Sequence, residues 1–157
     1  MPLTNRKRPR VGDVIEIATP CGLAYAHATH EHPEFSYLLR VVPGTHKQRP
    51  SDFRNLVAQE PQFILFFPLG SACHRNIVRV VAEEEVPAAC RSFPTFRAAG
   101  ARARDGTVLN WFLWDGDRQW PANLSSQELA TYPIRSIWND TLLIERICSK
   151  WRSNAEV

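Results

Sequence analysis

Three histidines and a glutamate crowd into His27-Ala28-Thr29-His30-Glu31-His32, and imidazoles beside a carboxylate are the ordinary ligands of zinc and related metals. A metal centre needs its donors aimed at one point. Along a continuous strand His30 and His32 share a face while His27 points away, so the three converge only where the chain bends. Without such a bend the segment reads as the end of a hairpin carrying solvated histidines. No closed four-ligand set is visible, and no cofactor is expected.

A second chemical cluster is Trp111-Phe112-Leu113-Trp114-Asp115-Gly116-Asp117, with Trp120 just beyond it. Indole faces closed by carboxylates could stack on a sugar or a base. The plainer reading is a strand of bulky core residues followed by a turn whose aspartates cap their own backbone. Nucleophilic catalysis needs a Ser or Cys within reach of an oriented base. Cys73 and His74 are sequence neighbours whose side chains diverge in a strand, and neither G-x-S-x-G nor a glycine-rich phosphate loop occurs. Sequence-local motifs therefore identify no catalytic residue.

The elements that must carry these residues begin with Val14 to Ile17 as a strand, a turn at Pro20-Cys21-Gly22, and a return strand. On that return, Leu23, Tyr25, His27 and Thr29 alternate with Ala24, Ala26 and Ala28, a small-residue face that admits a close neighbour. Ser36 to Val42 makes a third strand. A helix is expected from Ser51 as N-cap to Pro61, with Phe53, Leu56 and Val57 on its buried side. Gln62 to Phe67 is apolar on both faces, as an interior strand would be, and Asn76 to Val81 reads as another strand. Asp105-Gly106 predicts a two-residue hairpin turn with both residues at positive φ, and Asp115-Gly116-Asp117 turns the chain once more, giving a three-stranded meander. Ser125-Ser126-Gln127-Glu128 matches a capping box. Leu143, Ile144, Ile147 and Trp151 recur at helical spacing after Asn139-Asp140, with Glu145, Arg146 and Lys150 on the polar side.

These elements predict an α+β domain: a strongly bent antiparallel sheet, or a partly open SH3-like barrel, with a C-terminal helix packed on it. Residues 11–152 form the domain, behind a flexible basic arm at 1–10 and ahead of a tail at 153–157. At 157 residues and 44% hydrophobic composition, the chain needs neither disulfide nor metal to build a core. Cys21, Cys73, Cys90 and Cys148 form no C-x-x-C and read as reduced thiols, which with the lack of a spanning apolar run points to the cytoplasm. The net charge of +3 lies largely in Arg6 to Arg10, so the basic stripe that neutralises a nucleic-acid backbone is missing. Glu83-Glu84-Glu85 reads as a solvated run.

Gly12-Asp13-Val14-Ile15-Glu16-Ile17 followed by Gly22-Leu23-Ala24-Tyr25-Ala26 resembles the opening of the bacterial polymorphic-toxin immunity family called immunity protein 26, with an echo in Asn139 to Ile147. The resemblance implies a non-enzymatic domain that neutralises a toxin by occluding it, with a protein as its partner. The same Gly-Asp and apolar strand also look like the entry to SH3-like ribonuclease toxins of the MazF and PemK type. Partner-binding anchors chosen for their chemistry and expected loop or edge positions are Tyr25, His30, His32, Trp114 and Asp115. The alternatives are a small enzyme, metal-dependent or otherwise, built around His27, His30 and His32, and a nucleic-acid-binding SH3-like module.

Overall fold

A computed structural model describes residues 8–153. Strands β1 (Asp13–Thr19), β2 (Gly22–His32) and β3 (Ser36–Val41) form a consecutive antiparallel meander, which β4 (Phe63–Phe67) extends and β5 (Arg79–Glu83) closes on the other side. The first sheet has the order β4-β3-β2-β1-β5. A second sheet, β6-β7-β8, is built from Phe96–Ala99, Trp111–Trp114 and Gln119–Pro121. The described residues are thus α+β, with eight strands in two antiparallel sheets that do not close into a barrel.

The alternation along β2 decides how the first sheet is covered. Ala24, Ala26 and Ala28 join Ile15, Ile17, Leu39 and Leu65 in the main core, roofed by α2 (Leu69–His74) and α4 (Asp140–Cys148) through Leu69, Ala72, Leu143 and Ile147. Methyl-sized side chains let these helices approach the strands closely. The opposite face has two smaller clusters: Val14, Tyr25, Val42 and Val81 beneath α1 (Arg54–Val57), and Leu38 with Phe66 against Phe96 and Trp114 of the second sheet.

Several local expectations change. The helix expected from Ser51 is a single turn; Asp52 Oδ1 accepts from the Arg54 amide 3.0 Å away and Phe53 holds the N-cap position. Its buried side is nonetheless Phe53 and Val57. Between β4 and β5, where no element was expected, α2 forms with Leu69, Ala72 and Cys73 on its buried face. Cys73 and His74 therefore sit on a helix, not on a strand. β4 is the last strand of its sheet, and its outer edge is occupied: Ile137 bridges Phe66 in parallel, and the Trp138 amide donates to Phe66 O at 3.0 Å. A few residues earlier the same strap borders β6, with the Arg97 amide donating to Pro133 O and the Arg135 amide to Arg97 O. Residues 133–138 thus stitch the two sheets together by their edges, satisfying groups that an open edge would leave bare.

At the hairpin tip, Gly106 alone takes positive φ (90°), with its amide donating to Ala103 O. This is a three-residue turn with glycine in the left-handed position, so Asp105 is spared the strained conformation that the two-residue form would demand. α3 (Ser126–Leu129) has the full reciprocal capping box of Ser125 and Glu128. α4 starts on Asn139, whose side chain accepts from the Leu142 amide. It ends in a Schellman arrangement, Lys150 (φ 58°) donating to Ile147 O and Trp151 to Arg146 O.

Four reduced thiols do not survive. Cys21, in the β1–β2 turn, is bonded to Cys148 at the end of α4, with Cα atoms 6.0 Å apart and a sequence separation of 127. Cys73 and Cys90 are not disulfide-bonded. The bond removes one of the two grounds for placing the chain in the cytoplasm; the other stands as the fact that no helix among the described residues is long and apolar enough to cross a membrane.

Of the expected arm, residues 1–7 lie outside the described residues, as do 154–157 of the tail. Residues 8–10 are seated on the domain: Pro9 is buried, its carbonyl accepts from the Tyr37 hydroxyl at 3.0 Å, and the Arg10 amide donates to Asp13 Oδ2 at 2.7 Å.

Candidate functional site

The pairing of β2 with β3 slips between Ala28 and His30. Thr29 is the extra residue of a bulge, and one extra residue inverts the alternation beyond it. His27 opposite Arg40, His30 opposite Leu38 and His32 opposite Ser36 consequently share a face of the sheet. The chain does bend, yet the imidazoles do not gather. Each reaches a different backbone carbonyl: His27 Nε2 lies 2.9 Å from Glu84 O and 3.1 Å from Gly12 O, His30 Nε2 2.9 Å from Arg91 O, and His32 Nε2 2.7 Å from Gly116 O. A carbonyl only accepts, so every Nε2 carries a proton and donates. At His32 the other nitrogen accepts from the Glu34 and Phe35 amides. Among the described residues no group of three or more His, Cys, Asp or Glu is placed to hold a metal. The cluster pins three separate loops to one strand.

Of the five chosen anchors, four come together. His32 packs edge-on to Trp114 at 5.1 Å and His30 against Phe93 at 5.3 Å, with Asp115 following Trp114 in the chain. The group is a miniature core joining the two sheets: Trp114 is buried rather than exposed at an edge. Asp115 spends its carboxylate on its own turn, accepting from the Arg118 and Asp117 amides, which hold its pKa below the ordinary carboxylate range. The turn reading of that aspartate is the one realised.

Tyr25 lies apart from these four and is also buried. Its hydroxyl donates to Glu16 Oε2 at 2.9 Å, and Arg49 grips the same carboxylate through two bonds, Nε to Oε2 at 2.7 Å and Nη2 to Oε1 at 3.0 Å. The Arg49 bond lowers the Glu16 pKa, while burial and the Glu16 bond raise that of Tyr25. The triad ties the loop after β3 to the strand pair β1–β2. It is a closed network whose members already satisfy one another.

A cleft of about 600 Å³ lies between the β6–β7 hairpin and α4. Arg102, Thr107 and Trp111 line it from the hairpin; Ser136 and Trp138 line it from the strap, and Arg146 from the helix. Arg102 Nη1 donates to Gly106 O at 2.9 Å. The Arg146 guanidinium lies over both indoles of the edge-on pair Trp138 and Trp151, at 4.5 and 4.0 Å from their centroids. Behind Trp111 the fully buried Arg97 sits 5.2 Å from the ring centre and donates to Ser153 O. Trp138 Nε1 donates to Ser136 Oγ at 2.9 Å. Sequence reasoning passed over Trp138, Arg102 and Arg146; Arg146 was assigned to a polar helix side, and only the packing of two tryptophans around it shows it to be held.

No protein-family model, curated protein or solved structure matches the chain.

Proposed function

We propose that the chain is a non-enzymatic protein-binding domain that acts in the manner of the immunity family its first strands resemble, covering a toxin and so neutralising it. The observation carrying this reading is the concentration of tryptophan and arginine around one open cleft, Trp111 and Trp138 with Arg102 and Arg146. Those residue types dominate the energy of protein interfaces, and a cleft lets them be desolvated by an inserted partner group. The binding surface moves accordingly from Tyr25 and Trp114, which are buried, to this cleft. The resemblance gains support at scaffold positions: Gly12 and Gly22 have φ of 100° and 128°, and Ala24 and Ala26 face the main core. The consecutive meander from β1 to β4 supports the SH3-like part of the reading. Disulfides persist in oxidising compartments, so the bond from Cys21 to Cys148 favours such a compartment over the cytoplasm as the place of action.

The test is capture of a partner by the tagged chain and by its Trp111→Ala variant, followed by assay of the captured protein's toxicity alone and after stoichiometric addition of the chain. The reading expects a toxic partner, lost from the variant and silenced by the wild type. A partner whose activity is untouched by saturating chain would end the immunity interpretation, and equal capture by the variant would remove the cleft from it.

A further inference from the structure

The bond between Cys21 and Cys148 is not sealed inside the domain. Both cysteines line a cleft of about 620 Å³ bounded by the β1–β2 turn, the loop after β3 and the end of α4, a volume suited to a small organic ligand. Cys21 is exposed there and Cys148 partly buried. Each sulfur is placed by bonds that do not involve its partner. On the turn side, the Thr45 hydroxyl donates to Cys21 O at 3.0 Å, and Leu23 and His46 exchange amide-to-carbonyl bonds of 2.8 Å in both directions. On the helix side, the buried Gln62 side-chain amide donates to Arg146 O at 3.2 Å and Trp151 O at 3.1 Å, one on either side of Cys148 in sequence. Leu143 and Ile147 hold the same helix in the main core. Cleaving the S–S bond therefore leaves the two cysteines facing each other, because the cross-link constrains the unfolded chain far more than the folded one.

The surroundings also suit the dithiol. Thr19 Oγ1 lies 3.1 Å from Cys21 Sγ. Its one proton is donated to Gly22 O at 2.7 Å, and it accepts from the Cys21 amide at 3.2 Å. A disulfide sulfur has no proton to offer that oxygen, whereas the thiol of reduced Cys21 has, so reduction turns a plain contact into a hydrogen bond. At the other sulfur, Lys150 and Arg152 line the cleft just beyond α4. Cations beside a sulfur favour its thiolate and oppose the negative end of the helix dipole.

We propose that the Cys21–Cys148 bond is a reversible exchange site for a small thiol of peptide size, which attacks through Cys21. The incoming thiolate attacks the exposed Cys21 Sγ; a new S–S bond forms as the bond to Cys148 breaks, and the electron pair of the broken bond leaves on Cys148 Sγ as a thiolate. A second molecule of the same thiol attacks the sulfur of the first, which releases the small disulfide and leaves Cys21 as a thiolate. The protein thiolates take up the protons that the two small thiols lost. Two electrons thus pass to the protein, and two small thiols are oxidised to one disulfide. Attack by Cys148 on the mixed disulfide reverses the first step, and the retained geometry keeps it in reach. This inference is independent of the protein-binding reading and stands or falls without it.

The test takes the whole native chain through buffers of graded reduced-to-oxidised glutathione ratio at mildly alkaline pH. Acid quenching, alkylation and peptide mapping by mass spectrometry read the state of each cysteine, while near-ultraviolet circular dichroism reads the fold in the same samples. The bond is expected to open and re-form along the series with the near-ultraviolet signal retained, and the glutathione adduct to map to Cys21. Cys148→Ser and Cys21→Ser, each treated with oxidised glutathione, measure the preference directly: the adduct at Cys21 in the first should form at least about five-fold faster than that at Cys148 in the second, following exposure. The wild-type series decides the question even if neither variant folds. Opening confined to conditions in which the near-ultraviolet signal is lost would make the bond purely structural and overturn the proposal. An adduct that forms equally at the two cysteines, or faster at Cys148, would overturn attack through Cys21.

Discussion

Reduction of the bond between Cys21 and Cys148 is the sharpest perturbation of the fold. It joins the first hairpin turn to the last residue of α4 across a sequence separation of 127. In the chain-entropy description, closing a loop of that length removes about 16 cal/mol/K from the unfolded ensemble, or about 5 kcal/mol at 25 °C. A domain's whole stability is commonly about 5–15 kcal/mol, so the bond is worth a large part of it. The paired variant Cys21→Ser with Cys148→Ser should therefore unfold at a urea concentration lower by roughly 2–3 M, taking a slope of about 2 kcal/mol per M. Thiol titration in denaturant without reductant should find the two cysteines outside the disulfide, Cys73 and Cys90. Four titrating thiols, or a variant whose midpoint matches the unreduced wild type, would refute the cross-link and the stability assigned to it.

Other positions give independent tests. Gly116 has φ of 98°, and a β-carbon there would sit 2.8 Å from the Phe93 ring; Gly116→Ala should cost about 2–4 kcal/mol in urea unfolding, from strain and overpacking together, and a loss below about 0.5 would contradict the close approach. Burial lowers the His27 pKa from its ordinary value of 6.5. The unfolded chain then takes up the proton first, so stability present at neutral pH is lost as pH falls below 6.5 toward the lower folded value. His27→Gln keeps a donor but cannot ionise, and its unfolding midpoint should be flatter across that window; parallel pH profiles would count against a buried neutral imidazole. Arg49→Ala should destabilise by roughly 1 kcal/mol at neutral pH, the pair being partly exposed. Because the folded Glu16 pKa lies below its ordinary 4.5, that contribution is present above 4.5 and lost as pH falls through the folded value. Variant and wild-type stabilities should converge in strong acid, and a gap that persists there would assign the loss to packing instead of charge.

The parts of the fold that a reader of the sequence could foresee are those in which a local rule and the tertiary structure agree. Ala24, Ala26 and Ala28 alternate with Leu23, Tyr25 and His27, and that alternation is the division between the two faces of β2. The capping box of Ser125 and Glu128 needs only residues three apart. Where the determinant is nonlocal, foresight fails for a physical reason. α2 has six residues, too few to display a helical period, and includes Gly70. The strap at residues 133–138 is held by single bridges to Arg97 and Phe66, so it needs no strand-like alternation and has none. The pairing of Cys21 with Cys148 depends on where α4 ends in space, which no cysteine spacing encodes.

The histidine cluster shows how far residue type can mislead when one backbone irregularity is hidden. His27, His30 and His32 looked divided between two faces because a regular strand divides them. A single unpaired residue, Thr29, puts all three on the same face, and that ought to have strengthened the metal reading. It does not, because the ring nitrogens reach carbonyls in separate places: His27 at Gly12 before β1 and at Glu84, His30 at Arg91 further along the β5–β6 connection, and His32 at Gly116 in the β7–β8 turn. A metal bound through the three Nε2 atoms would require them to give up protons that now satisfy carbonyls, and the segments they hold to separate from β2. The surface proposed for binding lies elsewhere. Arg102 and Trp111 lie on the hairpin, some thirty residues before Trp138 on the strap and Arg146 on α4, and the two groups become one surface only where the strap borders both sheets. A site whose parts are brought together by an edge-to-edge stitch has no motif to read, and it should be lost as a unit when the stitch is broken.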